Sequence, residues 1–323
     1  MVHAHRLCAV AVAFAALASS SAIFAQTYPT KPIRVVVPFA AGSATDTVAR
    51  SYTQKFNEQF GQSGLVDNRP GANGLIGAEA VAKAAPDGYT ILCGTNSTNA
   101  ALVSLYKKLP YDQEKDFMPI AFLGSVPLIV AVNNSLPVKD LKGLIALAKA
   151  KPGDVIYATA STSQRVSTEM FANMAGIKLT MVPYKSSPHA ISDLIAGQVM
   201  MFTADLAVTL PQVKAGKIRG LAVTSIKRTA LIDLPTVEEA GGLKGYELIA
   251  WFAAYAPRGT PPAVIERLNT AFNQSANSKD VKDRLITSGI ETSPHTPAQL
   301  AERTRVETVK WAKAIKDAGI QPE

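Results

Sequence analysis

Short β-branched runs alternate with amphipathic segments of helix length along almost the whole chain, and a chain so patterned buries its apolar faces as strands covered by helices. Ile33 to Val37 reads as a strand, Thr45 to Phe60 as a helix, Gly64 to Asp67 as a strand, Leu75 to Ala84 as a helix and Thr90 to Gly94 as a strand. The rhythm resumes with strands at Ile129 to Val132, Val155 to Ala158, Leu179 to Val182, Val199 to Thr203 and Arg219 to Val223. Helices at Asp140 to Ala150, Arg165 to Ala175 and His189 to Ala196 interleave with them. Two such blocks imply two α/β lobes built on parallel βαβ units. The tail from Pro261 to Ala318 reads as helical, with Thr260 before Pro261 as its start and Ala318-Gly319 as its stop. The lobes are expected to join near Leu123 to Pro127 and again near Tyr246 to Pro257, where Leu248 to Ala254 completes the first sheet. Lobe I is then residues 26–125 plus 247–323 and lobe II residues 126–246. A double crossing makes a hinge, and loops at the carboxyl ends of strands from both lobes would surround a ligand.

Residues 1–25 carry basic Arg6, an apolar segment from Leu7 to Leu17 and a small-residue stretch ending Ala22-Ile23-Phe24-Ala25, the pattern of a secretory signal peptide. The apolar segment is shorter than the about 20 residues a spanning helix needs. Cys8 lies at its start rather than at the cleavage region, which argues against a lipoprotein anchor. Export leaves Cys93 as a single thiol, so the fold is held by its core and not by a disulfide. The formal charge of +8, less Arg6, leaves +7 on the exported chain, a positive envelope that attracts small anions. Nucleic acid is not the expected partner: the Lys and Arg are scattered and aromatic residues make up only 7%.

The first strand leads into Phe39-Ala40-Ala41-Gly42-Ser43-Ala44-Thr45-Asp46, a small-residue loop opening a helix. Unpaired N–H groups at a helix start, with the Ser43 and Thr45 hydroxyls, form a cradle for a carboxylate or phosphate. The same residues also suit a plain strand-to-helix turn with Thr45 or Asp46 as N-cap.

A resemblance rests on several motifs in order: Tyr28-Pro29-Thr30-Lys31-Pro32-Ile33-Arg34 before Val37-Pro38-Phe39, Asn68-Arg69-Pro70-Gly71-Ala72-Asn73-Gly74 with Gly77, and Ala85-Pro86-Asp87-Gly88-Tyr89-Thr90. They continue with Val182-Pro183-Tyr184-Lys185, Gly197-Gln198-Val199, the run from Asp233 to Gly241, and Ala256-Pro257 before Gly259-Thr260-Pro261. Together these resemble the periplasmic solute-binding receptors of tripartite tricarboxylate transporters, the Bug proteins, over essentially the whole exported chain. The resemblance implies a two-lobed, Venus flytrap type α/β receptor in the periplasm that captures a small organic carboxylate and delivers it to membrane permease subunits. A receptor that reports its ligand to a membrane sensor kinase is a further reading that the sequence leaves open.

Carried over residue by residue, the resemblance implies ligand contacts from Phe39, Ala41, Gly42, Ser43, Ala44, Thr45 and Asp46 in the first loop and from Thr95, Asn96 and Ser97 in the second. The other lobe would contribute Thr159, Ser161, Thr162, Ser163 and Arg165, with Ala204 and Asp205 after the Gly-Gln-Val strand. The chain departs from the family pattern at Ala41-Gly42-Ser43, at the shortened loop Thr159 to Arg165 where Arg165 stands in place of the usual His, and at Ala204, which takes the position of a common acidic residue beside Asp205. An Arg in the first turn of a helix opposes the helix dipole, so Arg165 is read either as a clamp on a ligand's distal carboxylate or as a surface Arg paired to Glu169 at i+4. The clamp would make the ligand a dicarboxylate. Thr and Ser in place of Gly in both loops favour a rigid pocket, with a planar aromatic diacid such as terephthalate as one candidate.

Competing chemistry finds little support. His189 and His295, the histidines left after export, have no His or Cys at i+3 or i+4, so no metal or other cofactor is expected. No Gly-x-Ser-x-Gly elbow is present, and Gly71 to Gly77 lacks the dinucleotide-fingerprint spacing. An exported hydrolase or isomerase acting on small carboxylates stays as the alternative, and it would need His189 or His295 at the cleft. Trp251 and Phe252 are candidates for the cleft near the hinge or for core, and Cys93 for a buried, inert thiol.

Overall fold

One long strand, β4 (Phe117–Asn133), runs through both halves of the molecule and organises the rest. The computed structural model describes residues 28–322; the expected leader lies outside them. Upstream of β4 come β1 (Ile33–Val37), α1 (Ala44–Thr53), α2 (Phe56–Phe60), β2 (Gly64–Asn68), α3 (Leu75–Ala82), β3 (Thr90–Thr95) and α4 (Leu102–Leu105). After it follow α5 (Leu141–Ala150), β5 (Ile156–Thr159), α6 (Thr162–Ala175), β6 (Thr180–Pro183), α7 (Ser187–Ala196), β7 (Met201–Asp205), α8 (Leu206–Lys214), β8 (Ile218–Val223) and α9 (Val237–Gly241). The chain then returns through β9 (Ile249–Pro257) and ends in α10 (Pro262–Asn277), α11 (Lys279–Thr287) and α12 (Pro297–Asp317).

The strand order is β2-β1-β3-β9-β4-β7-β5-β6, with β8 also on β4. Pairings β1–β2, β1–β3, β5–β6 and β5–β7 are parallel, as the βαβ rhythm requires. The centre departs from the expected all-parallel pattern: β9 is antiparallel to both β3 and β4, and β4 is antiparallel to β7 and β8. Phe117 to Pro127 pair with β9, and Leu128 to Asn133 pair with β7 and β8, so a single strand passes from one half's sheet to the other's.

Sequence reading stopped short of this strand because Pro119, Gly124 and Pro127 look like strand breakers. The fold uses them differently: the register slips between Pro119 and Ala121 and again between Phe122 and Gly124, and Pro127 sits where β4 changes partners. The expected helix Thr45 to Phe60 is likewise two helices. Thr53 turns its hydroxyl onto the Arg50 carbonyl, and the break after it lets Phe56 bury its ring against Phe60 and Phe272.

In the second half, Ile129 and Ala131 of β4 join one apolar core while Val130 and Val132 join another with Tyr157, Phe171, Leu221 and Tyr246. Alternate residues thus face opposite covered sides of one sheet. The tail helices pack back on the first half, with Asn269 Nδ2 donating to Ile120 O at 2.7 Å. Helix α12 reaches further: Thr304 bonds Tyr255 at 2.7 Å, Glu307 accepts from Trp251 Nε1 at 2.9 Å, and the Asp317 carbonyl accepts from Asn173 on α6. It therefore grips both halves.

Candidate functional site

The cradle loop is held shut by a clasp centred on Asp46. Its carboxylate accepts from Gly42 N–H at 3.0 Å, Asn68 Nδ2 at 3.0 Å and Arg50 Nε at 3.0 Å, while Asp46 N–H donates to Ser43 Oγ at 3.3 Å. Burial works against the charge, but those donors together hold the Asp46 carboxyl below the usual carboxylate range. Asp46 is thus a clasp rather than a pocket wall, and Ser43, not Thr45 or Asp46, is the N-cap of α1. With Gly42 and Asp46 engaged in the clasp, the N–H groups of Ala44 and Thr45 have no partner within their own helix, and both residues line the pocket.

That pocket lies between the two halves, and the room left in it is ≈ 20 Å³, about that of one water. The first half contributes Phe39, Ser43, Ala44, Thr45, Thr95, Asn96 and Ser97, with Ala250 and Phe252 from β9. The second contributes Ser161, Ser163 and Gln164 of α6, Ser187 of α7 and Asp205 at the end of β7. The first turn or cap of α1, α6, α7 and α8 each supplies a wall residue, so four helix N-termini converge on one small space. Each carries roughly half a positive charge, and all but α7, where Pro188 lacks an N–H and Ser186 caps His189, open more than one N–H group to the space. No Lys, Arg or His is among the lining residues.

The loop after β3 is wound as a π-turn from Ser97 to Ala101, a distortion common at functional sites. Thr98 Oγ1 accepts from Thr95 N–H at 3.0 Å and donates to Asn99 Oδ1 at 2.7 Å, which locks the turn. Asn96 is 1% exposed, its Oδ1 accepts from Trp251 N–H at 3.1 Å, and its Nδ2 has no hydrogen-bond partner among the described residues. A buried amide donor left so costs about 1–3 kcal/mol and points to a ligand acceptor.

At the opposite wall, Gln164 Oε1 accepts from Ala160 N–H at 2.7 Å, and its Nε2 donates to Ser187 Oγ at 2.9 Å and to Asp205 Oδ2 at 3.4 Å. Burial pushes the Asp205 carboxyl up to about 6, against the smaller opposing effects of Gln164 and of its own backbone N–H.

Of the residues read from sequence as ligand contacts, Ala41, Gly42, Asp46, Thr159, Thr162, Arg165 and Ala204 fall outside the lining. For Arg165 the reason is helix phase. Helix α6 begins at Thr162 rather than at Arg165, so Arg165 is past its first turn, half-buried and close to Tyr157, whose hydroxyl donates to Glu169. The premise of an unfavourable first-turn Arg does not hold. Thr159 spends its hydroxyl on Ser161 O at 3.1 Å, and Ala204 points to the apolar core.

Gln164, Ser187 and Ala250 were missed by sequence reading, the first two because the starts of α6 and α7 were set two or three residues late. Phe252 is a wall residue, whereas Trp251 beside it is core. Cys93 is fully buried, and burial pushes its thiol pKa up. His189 is exposed on α7, and His295 stacks on Phe122 at 4.9 Å between ring centres; neither lines the pocket. Among the described residues there is no cluster fit to hold a metal and no helix long and apolar enough to cross a membrane.

Residues 48–320 match the model of the tripartite tricarboxylate transporter family receptor. Protein BugT of Bordetella pertussis is 36% identical over 319 residues, spanning 97% of this chain and 98% of that one. A protein of R. palustris solved with adipate superposes with a TM-score of 0.89 at 37% identity, covering 92% of this chain and 100% of its own. MatC of Rhodopseudomonas palustris, solved with bound malate, gives a TM-score of 0.84 at 32% identity over 89% of this chain and 100% of its own. Receptors of this family are periplasmic two-lobed solute-binding proteins. The chain belongs to the tripartite tricarboxylate transporter receptor family.

Proposed function

We propose that this protein is an exported receptor that captures a small dicarboxylate between two lobes and delivers it to the membrane subunits of a tripartite transporter. The observation that carries the reading is the convergence of four helix N-termini on one small pocket with no cationic side chain in its wall. Helix N-termini bind a carboxylate without taking its proton or fixing it as an ion pair, which suits a carrier that must also release. Donors stand at both ends of the space, while Phe39, Ala250 and Phe252 give an apolar stretch of wall that fits a hydrocarbon linker. The adipate and malate held by the two R. palustris relatives are of this class.

The lobes are residues 26–125 with 247–323, and residues 126–246, moving about β4 and β9. Residues 1–25 are the export signal. The carrier reading is favoured over hydrolysis or isomerisation by the positions of His189 and His295, which leave no imidazole in the pocket wall among the described residues to act as general base. Terephthalate is the aromatic candidate, flanked by Phe39 and Phe252.

Titration calorimetry with malate, adipate, terephthalate and acetate tests the reading. Saturable one-to-one binding of at least one diacid, much tighter than acetate and with ligand recovered unchanged, is expected. No heat from any diacid, or turnover of one, overturns it.

A further inference from the structure

Asp205 is an anomaly in a pocket built for anions. It is the one ionisable side chain in the wall among the described residues, it is 8% exposed, and it stands at the mouth of the nine-residue helix α8 without capping it. Its carboxyl has one side-chain partner, Gln164 Nε2, at 3.4 Å, and that nitrogen makes its shorter bond to Ser187. Apart from the partial charge of the helix N-termini, no charged side chain among the described residues is paired with it. On α6, Arg165 lies by Tyr157 and Glu169 lies under the Tyr157 hydroxyl. On α7, His189 is exposed and Asp193 accepts from Tyr184. On α1, Asp46 is neutralised by Arg50. Lys214 is at the far end of α8, and β4 and β9 present Leu128 and Ala250.

Asp205 and the α1 cradle line the same small pocket from different halves, so a diacid held at the cradle would turn its far carboxylate toward Asp205. Two carboxylates in contact in a buried, cation-free space do not both stay ionised, because each raises the other's pKa. We propose that Asp205 is a specificity-determining residue that receives the ligand as a neutral carboxylic acid, donating its O–H to the ligand's far carboxylate, so that capture takes up one proton. The inference rests on the dicarboxylate reading above. The proton comes from solvent, is shared across the carboxyl–carboxylate hydrogen bond, and returns to solvent when the ligand leaves; no covalent bond changes. The free carboxyl is already part-way there, since burial holds it near 6.

Capture is then favoured at lower pH. A ligand presenting a neutral acceptor at that end binds without the proton, and a monoacid too short to reach Asp205 takes up none.

The test is calorimetry of the exported protein with adipate at about pH 7 to 8.5, where ordinary carboxylates of pKa near 4 are fully ionised in solution. Each titration is run in two buffers of different ionisation enthalpy. Uptake of close to one proton per adipate is expected, with Kd rising by about tenfold per pH unit. Asp205→Asn, which keeps an N–H donor in place, should bind adipate with no proton uptake and a flat pH profile. Wild-type binding without proton uptake overturns the proposal. So does Asp205→Asn binding that keeps the uptake, or that is lost while wild-type binding is pH-independent, since Asp205 then accepts from a ligand donor. The wild-type proton count stands even if the variant fails to fold. Absence of heat from any diacid overturns instead the receptor reading beneath it.

Discussion

The backbone N–H of Trp251 donates to Asn96 Oδ1 at 3.1 Å, which ties the strand that returns to the first half to the loop that walls the pocket. Only an oxygen can accept from that N–H, so the bond fixes which way the Asn96 amide is turned and leaves its Nδ2 as the unpartnered donor. The Trp251 indole is in turn held by Glu307 of α12, which also accepts from Trp311 Nε1 at 3.1 Å. The tail helix therefore helps to position a pocket donor through Trp251.

Asn96→Ala should weaken adipate binding by roughly 10- to 150-fold, the equivalent of about 1.5–3 kcal/mol for a hydrogen bond to a charged group. Calorimetry measures the loss, and thermal unfolding of the ligand-free variant separates it from a folding defect.

Glu307→Ala removes the acceptor of both indole N–H groups. It should lower the unfolding free energy by about 2–3 kcal/mol, read from urea unfolding, with a change in tryptophan emission before the transition.

Arg165→Ala should leave affinity for diacids within about threefold, because the side chain is outside the pocket wall. A loss of tenfold or more, at unchanged Tm, would return Arg165 to the ligand.

Gly77 lies against the first loop: a Cβ there would meet Pro38 Cα at 2.7 Å and Arg69 O at 3.0 Å. Both contacts are backbone, so Gly77→Ala must shift the strand end that leads into the Asp46 clasp. A loss of about 1–3 kcal/mol in stability together with weaker ligand binding is expected.

Asp205 and Asp46 should give ligand-free stability opposite pH dependences. The folded Asp205 carboxyl titrates near 6 and an unfolded one near 4, so the native state holds more protons between those values. Ionisation of Asp205 thus costs stability as pH rises through that window, and Asp205→Asn should gain up to about 3 kcal/mol over wild type by pH 7 and nothing at pH 4. The folded Asp46 carboxyl is held low, so Asp46→Asn should destabilise at neutral pH and become neutral as the medium is acidified through the folded value. Chemical unfolding at several pH values checks both.

Much of this was legible in one dimension. The β-branched runs placed seven of the nine strands to within two residues at both ends, since period-two burial leaves a local signature. The first loop was recognisable as a donor-rich helix start, and Ser43, Ala44 and Thr45 do line the pocket. Asp46 was not separable from them, because its role depends on Arg50 one turn on and Asn68 on the next strand.

The sequence by itself determined the two α/β blocks, the helical tail and the hydroxyl- and amide-rich character of the pocket loops, because these follow from local periodicity and residue type. The tertiary structure alone decided that β4 runs unbroken through Pro119, Gly124 and Pro127, since the partners that absorb those residues are far away in the chain. It also decided the starts of α6 and α7, and with them that Gln164 and Ser187, not Arg165, face Asp205. At about 100° per residue, a start set two or three residues late misplaces which side chains occupy the first turn, so their direction is set only when packing fixes the cap.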